Sequence, residues 1–150
     1  MVWKPHVTVA AVVEDDGRFL MVEELVRGKL KLNQPAGHLE PGEMPQQAVL
    51  RELTEETGWH GQVRHLLPVR LWRNPDNHKT FLRFSYAVKA IRFDDTAQLD
   101  DGIVRAVWLS PEEIRQRRKD WRSPMIESCM EDYLQGRFLP LDWVIHQNPT

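Results

Sequence analysis

Three glutamates, Glu52, Glu55 and Glu56, fall within five positions of one helix-like segment in GHLEPGEMPQQAVLRELTEETGW, residues 37–59. Like charges three or four apart on a helix repel by roughly 0.2–0.5 kcal/mol per pair, which a solvated acidic face tolerates. The run-up QPAGHLEPGE points further, because this long Gly- and Pro-punctuated loop brings Glu43 and backbone carbonyls toward the same end. Carboxylates and carbonyls are hard ligands that select Mg²⁺ or Mn²⁺ over zinc. Gly37 and Gly42 have the glycine spacing that begins a phosphate-cradling loop, but Glu43 and Met44 follow where that motif needs Lys and Ser or Thr. An acid there repels phosphate, so the stretch fits a polyphosphate site bridged by metal and not a Walker-type site.

The element that must carry these acids is a helix from about Pro45 to Glu56. Pro45 suits its first turn and Gly58 the residue past its end. At about 100° per residue, Val49, Leu50 and Leu53 form the buried stripe. The glutamates gather around Ala48, a small residue expected to leave open space, on a wet surface. Arg51 flanks them, able to pair with Glu55 or reach back to Glu43. Around this helix the pattern predicts strands in HVTVAAVVE (6–14), FLMVEEL (19–25), LPVRLWR (67–73), TFLRFSYAVKAI (80–91) and IVRAVWL (103–109), with a hairpin turn at DDGR (15–18). Two further helices open on Ser-Pro, SPEEIRQRR (110–118) and SPMIESCMEDYLQG (123–136). The second places Met125, Ile126, Cys129, Met130, Tyr133 and Leu134 on one stripe. The class is α/β, in one domain spanning 1–150.

Totals narrow the function. Twenty basic and 22 acidic residues give a formal net charge of −2, without a global field for nucleic acid or an acidic membrane. One cysteine, Cys129, excludes an internal disulfide framework and reads as core, with nothing nearby to lower its pKa. The histidines are dispersed without zinc-ligand spacing. MVWKPH lacks signal-peptide character and VTVAAVV (7–13) is too short to span a bilayer, so a cytoplasmic, soluble protein is expected.

The 37–59 stretch resembles the Nudix box of the Nudix hydrolases, with Gly37, Glu43, Arg51, Glu52, Leu53, Glu55, Glu56 and Gly58 at matching positions and aromatic Trp59 where an aliphatic residue is usual. KPHVTVA, NQPAGHLE, FLRF and RSP are similar to the NudJ-type phosphatase branch. The resemblance implies an α/β/α sandwich around a mixed β-sheet, and Mg²⁺-dependent hydrolysis of nucleoside tri- and diphosphates or related pyrimidine diphosphates, including the hydroxymethylpyrimidine diphosphate of thiamine metabolism. Carried over by position, Glu52 and Glu56 are the main metal ligands, Glu55 a further ligand or water activator, and the Gly37 carbonyl completes the shell. Arg51 orients Glu43 and Glu55. Glu55, Asp100 and Asp101 are candidate general bases, the aspartates otherwise being a solvated turn.

For substrate, alternation puts Phe81, Arg83 and Ser85 on one strand face. Arg83 beside Phe81 reads as phosphate and base contacts or as ordinary surface, with Arg122 a second cation for the terminal phosphate. Trp3, Trp72 and Trp108 read as core. The expected partner is a small nucleotide or diphosphate, without nucleic acid or membrane, acted on by a monomer or small homo-oligomer. Two alternatives stay open, a pyrophosphohydrolase of nucleoside triphosphates or RNA 5′ ends, and a non-catalytic nucleotide sensor.

Overall fold

Alternation along HVTVAAV builds β1 (His6–Val12), whose Val9 and Ala11 face one way and Ala10 and Val12 the other, all buried. A strand buried on both faces needs a layer on each side, and helices supply both. The structure is a computed structural model that describes residues 1–147; the last three residues of the expected 1–150 domain lie outside the described residues.

The remaining strands are β2 (Glu14–Asp15), β3 (Arg18–Val26), β4 (Lys29–Asn33), β5 (Ala36–His38), β6 (Trp59–Leu66), β7 (Arg70–Arg73), β8 (Thr80–Phe93) and β9 (Ile103–Leu109). A five-stranded sheet runs β5-β1-β8-β6, with β7 also on β8, and it is mixed because β1 and β8 are parallel. The second sheet, β2-β3-β4 with β9 on β3, is antiparallel. Asp16 and Gly17 both take positive φ, 51° and 78°, which matches the twist of a two-residue hairpin joining β2 to β3.

Helix α1 (Pro45–Thr57) packs Ala48, Val49 and Leu53 against Val9, Ala11, Tyr86 and Val88. On the opposite side α2 (Pro111–Gln116) and α3 (Met125–Leu134) cover Val12, Phe19, Met21 and Ala87 with Ile114, Ile126, Cys129 and Met130. The α/β/α sandwich and the mixed sheet are as the family resemblance implied. Among the described residues no helix is long and apolar enough to cross a membrane.

Several expectations change. Residues 67–69 are not strand, since Pro68 lacks the N–H that a ladder needs. The supposed loop QPAGHLEPGE contains β5, and β4 and β6 had no predicted counterpart. Ala48 is fully buried and not beneath open space. On α3, Leu134 is exposed, whereas Asp132 is buried under Arg70 and Arg137. Trp3 is exposed, while Trp72 and Trp108 are partly buried against the core.

Candidate metal centre

Each acid reaches the site through a local cause. Gly58, at φ 80°, caps α1 by donating its N–H to Thr54, so the last turn stays regular through Glu55 and Glu56. Helix spacing then stacks Glu52 and Glu56 on the side facing β5. They are not on a wet surface: both are buried, at 8% and 9% exposure. The buried arc of α1 holds these two glutamates together with Ala48, Val49 and Leu53.

Strand β5 makes the other wall. It pairs with β1 through Gly37 and Val9, and a Cβ on Gly37 would overlap the Glu52 carboxylate. A side chain there would push the Glu52 carboxylate from its place. One residue earlier, the Ala36 N–H donates to Glu56 Oε1 at 2.8 Å.

Arg51 organises the rest. Its Nε and Nη2 donate to Glu43 at 3.0 and 2.7 Å, and Nη1 donates to Glu52 at 2.8 Å and Glu55 at 3.2 Å. Nη2 also reaches the His38 carbonyl at 3.1 Å. One guanidinium thus holds three carboxylates and a main-chain oxygen together, and it makes both expected pairings, along the helix to Glu55 and back to Glu43. The Arg51 hydrogen bonds hold Glu43 below the usual carboxylate range and push the Arg51 pKa higher still.

Asp100 closes the group. Its N–H donates to the Glu55 carbonyl at 3.0 Å, and carboxylate oxygens of Glu52, Glu55 and Asp100 lie within 4.8 Å of one another. Asp101, its neighbour, is outside this set. Burial pushes the Glu56 carboxyl up to about 8, opposed by the Ala36 N–H and reinforced by Glu52, Glu24 and Asp100. Glu52 is also raised, by burial first, with Arg51 opposing and Glu55 and Asp100 adding. Buried acids with more negative than positive neighbours fit a hard divalent cation.

The three residues read as substrate contacts do not form one cluster with these acids. Phe81 and Arg83 share the face of β8 turned toward α3. The Phe81 ring lies between His6, at 5.3 Å, and Trp72, at 6.0 Å. Arg83 is 6% exposed, donates from Nη1 to Gln34 at 3.1 Å, and leaves Nε without a partner. It is not an ordinary surface residue. Its guanidinium lies near Cys129, whose Sγ is 3.2 Å from Ser85 Oγ, so the cysteine is core but not without a cation in its surroundings. Arg122 donates to Glu24 at 2.9 Å, next to the acid cluster. Glu24 itself was missed; it sits where the β3–β9 register shifts, and a bulge that re-aims a side chain carries no local sequence signal.

Comparison with known proteins bears on this geometry. A NUDIX domain profile matches residues 4–129. The chain is 42% identical over 142 residues to "Phosphatase NudJ" of Escherichia coli K12, covering 95% of this chain and 92% of that one. A solved "NUDIX hydrolase from Nitrosomonas europaea" superposes with a TM-score of 0.94 at 46% identity, covering 98% of this chain and all of the other. The fold also resembles a UDP-X diphosphatase, with a TM-score of 0.70 at 22% identity, covering 93% of this chain and 69% of that one.

Proposed function

The chain belongs to the Nudix family of hydrolases acting on phosphoric anhydride bonds, and from that membership we propose that it is a Mg²⁺-dependent phosphatase. Its substrates are nucleoside tri- and diphosphates and related pyrimidine diphosphates, such as hydroxymethylpyrimidine diphosphate, and orthophosphate is released. It works as a single cytoplasmic domain on small molecules, monomeric or as a small homo-oligomer. The observation that carries the reading is the convergence of Glu52, Glu55 and Asp100 oxygens, with Arg51 bonding two of them. The phosphatase assignment draws on the likeness to NudJ.

Glu52, Glu56 and the Gly37 carbonyl, with Glu55 as a further ligand, are the groups that would hold the ion, with Mn²⁺ a substitute for Mg²⁺. When bound, such an ion supplies Lewis-acid charge on phosphoryl oxygens and lowers the pKa of the attacking water. The protein's own residues do the remainder. Glu55, whose side chain is 41% exposed, and Asp100, which is exposed, are placed to take the water proton and pass it to solvent. Arg51 and Glu43 keep Glu52 and Glu55 in position. Arg122, held beside the acid cluster by Glu24, grips the terminal phosphate, with the buried Arg83 bracing the wall behind it through Gln34 and Phe81 beside the heterocycle.

Phosphorus NMR of GTP incubated with enzyme and Mg²⁺ tests the reading. GDP should precede GMP, with orthophosphate at each step, and GDP should itself be consumed. One-step formation of GMP and intact pyrophosphate would replace the phosphatase reading with a pyrophosphohydrolase.

A further inference from the structure

Strand β6 forms the edge of the five-stranded sheet three strands across from β5 and the acid cluster. There a groove of about 310 Å³ opens between β6, β8 and the end of α3, a size at the lower end of small-molecule sites, about 300–1,000 Å³. Its floor is apolar at Ala87, 3% exposed, while the adjoining Val88 lines it from a position whose side chain packs on the α1 face of the sheet. Aromatic rings make one wall: His65 and Phe138 stack at 4.6 Å with planes 8° apart, and Tyr133 meets Phe138 edge-on at 5.5 Å.

The charged rim has a structural cause. Pairing along β6 steps from Val63 opposite Val88 to His65 opposite Ala87, so Arg64 is the extra residue of a β-bulge. Gln62 lies opposite Lys89, so alternation puts Arg64 on the Lys89 side of the ladder, and the bulge adds His65 opposite Ala87, so that Arg64, His65 and Lys89 all line one groove. Arg64 donates only to Gln62, at 3.2 Å, and Lys89 has no side-chain bond or ion pair among the described residues. The groove therefore carries two cations without a carboxylate partner, and Glu14 faces them from β2.

We propose that this groove is a second ligand site, separate from the metal centre, for a planar heterocycle bearing a phosphate, such as a nucleoside monophosphate. The ring packs on Tyr133 and Phe138, the phosphate meets Arg64 and Lys89, and Glu14 accepts from an amino or hydroxyl group. The apolar floor disfavours phosphate alone, and two unpaired cations disfavour a neutral nucleoside. Binding here needs no divalent cation, whereas at the acid cluster phosphate is repelled unless metal intervenes.

The test is calorimetric titration of the full chain with GMP in EDTA, beside guanosine and inorganic phosphate. GMP should bind at millimolar concentration or below, with each half at least about tenfold weaker. The double charge reversal Arg64→Glu/Lys89→Glu should weaken GMP by at least about tenfold while Mg²⁺-dependent GTP turnover stays unchanged. If that variant does not fold, Arg64→Gln/Lys89→Gln carries the same comparison. Absence of binding, equal affinity for inorganic phosphate, or unchanged affinity in the charge variants overturns the site. Loss of GMP binding in Glu52→Gln but not in the charge variants assigns it to the metal centre and overturns the proposal as well. None of these outcomes alters the GTP product test.

Discussion

Glu56 and Asp132 are both buried carboxylates, yet their surroundings differ in kind. Asp132, on the α3 side, accepts from Arg70 Nε at 2.9 Å and Nη2 at 2.7 Å, and from Arg137 at 3.1 Å. Glu23 is treated alike, receiving Arg105 and Arg117, and although burial acts to raise its pKa these cations hold it below the usual carboxylate range. Glu56 receives one backbone N–H, has no ion pair among the described residues, and is surrounded by Glu52, Glu24 and Asp100, with the Arg83 charge acting on it only without direct contact. A buried charge is costly unless paired. On the α3 side the fold supplies the countercharge from its own arginines, and at α1 it leaves the charge for something from outside. Burial of an acid does not identify a site; the missing cation does.

Substitution breaks this contrast most strongly. Glu52→Gln or Glu56→Gln should lower Mg²⁺-dependent turnover by at least ~10²-fold with the fold intact, one electrostatic contact to the reacting centre being worth ~2.7–4 kcal/mol. Asp132→Asn should leave kcat of the folded protein unchanged. Steady-state kinetics beside circular dichroism checks both, and normal turnover in either Gln variant removes that residue from the site.

Mg²⁺ should raise the wild-type unfolding temperature, with about 2.7 kcal/mol gained at a hundred times Kd. Glu52→Gln should lose that gain and Asp132→Asn keep it. In denaturant titrations Asp132→Asn should cost about 1–3 kcal/mol, the range for weakening a hydrogen-bonded charged pair.

The effect of pH is gradual, spread over several units, and there the two kinds of acid have opposite signs. Glu56 is raised from its ordinary 4.5 to about 8. Between those values the folded chain keeps a proton that the unfolded chain has lost, so metal-free stability falls as pH rises, by up to about 1.4 kcal/mol per unit. Its stabilising contribution is complete below 4.5 and gone above about 8. Glu23, held low, contributes above its unfolded pKa and loses that contribution as pH falls through its folded pKa. Urea midpoints in EDTA from pH 5 to 8 should therefore decline for wild type and flatten for Glu56→Gln. An equal decline in both would contradict the assignment.

Where a residue's role depends on its near neighbours, the sequence was legible. Helix α1 follows from Pro45, its apolar spacing and Gly58, and the link from Arg51 to Glu55 follows from helix geometry, with Glu43 within reach just before the helix starts. Strand β5 was hidden because its three residues pair through backbone to β1 and carry no alternation of their own. Strand β6, WHGQVRHL, lacks an apolar repeat and is held by its ladder with β8. The burial of Glu52 and Glu56 was not legible, because β5, distant in sequence from neither but unread, decides which arc of α1 is covered. Arg83 is the sharpest case: its neighbours Gln34 and Cys129 come from remote segments, and a single strand could not distinguish a surface arginine from one sealed under α3.

Titration of metal-free protein with Mn²⁺, read as loss of the free-ion electron paramagnetic resonance signal, tests the central contrast most directly. Wild type and Asp132→Asn should bind the ion with matching affinity, and Glu52→Gln and Glu56→Gln should bind at least about tenfold more weakly. Equal affinity in all four proteins would contradict the account.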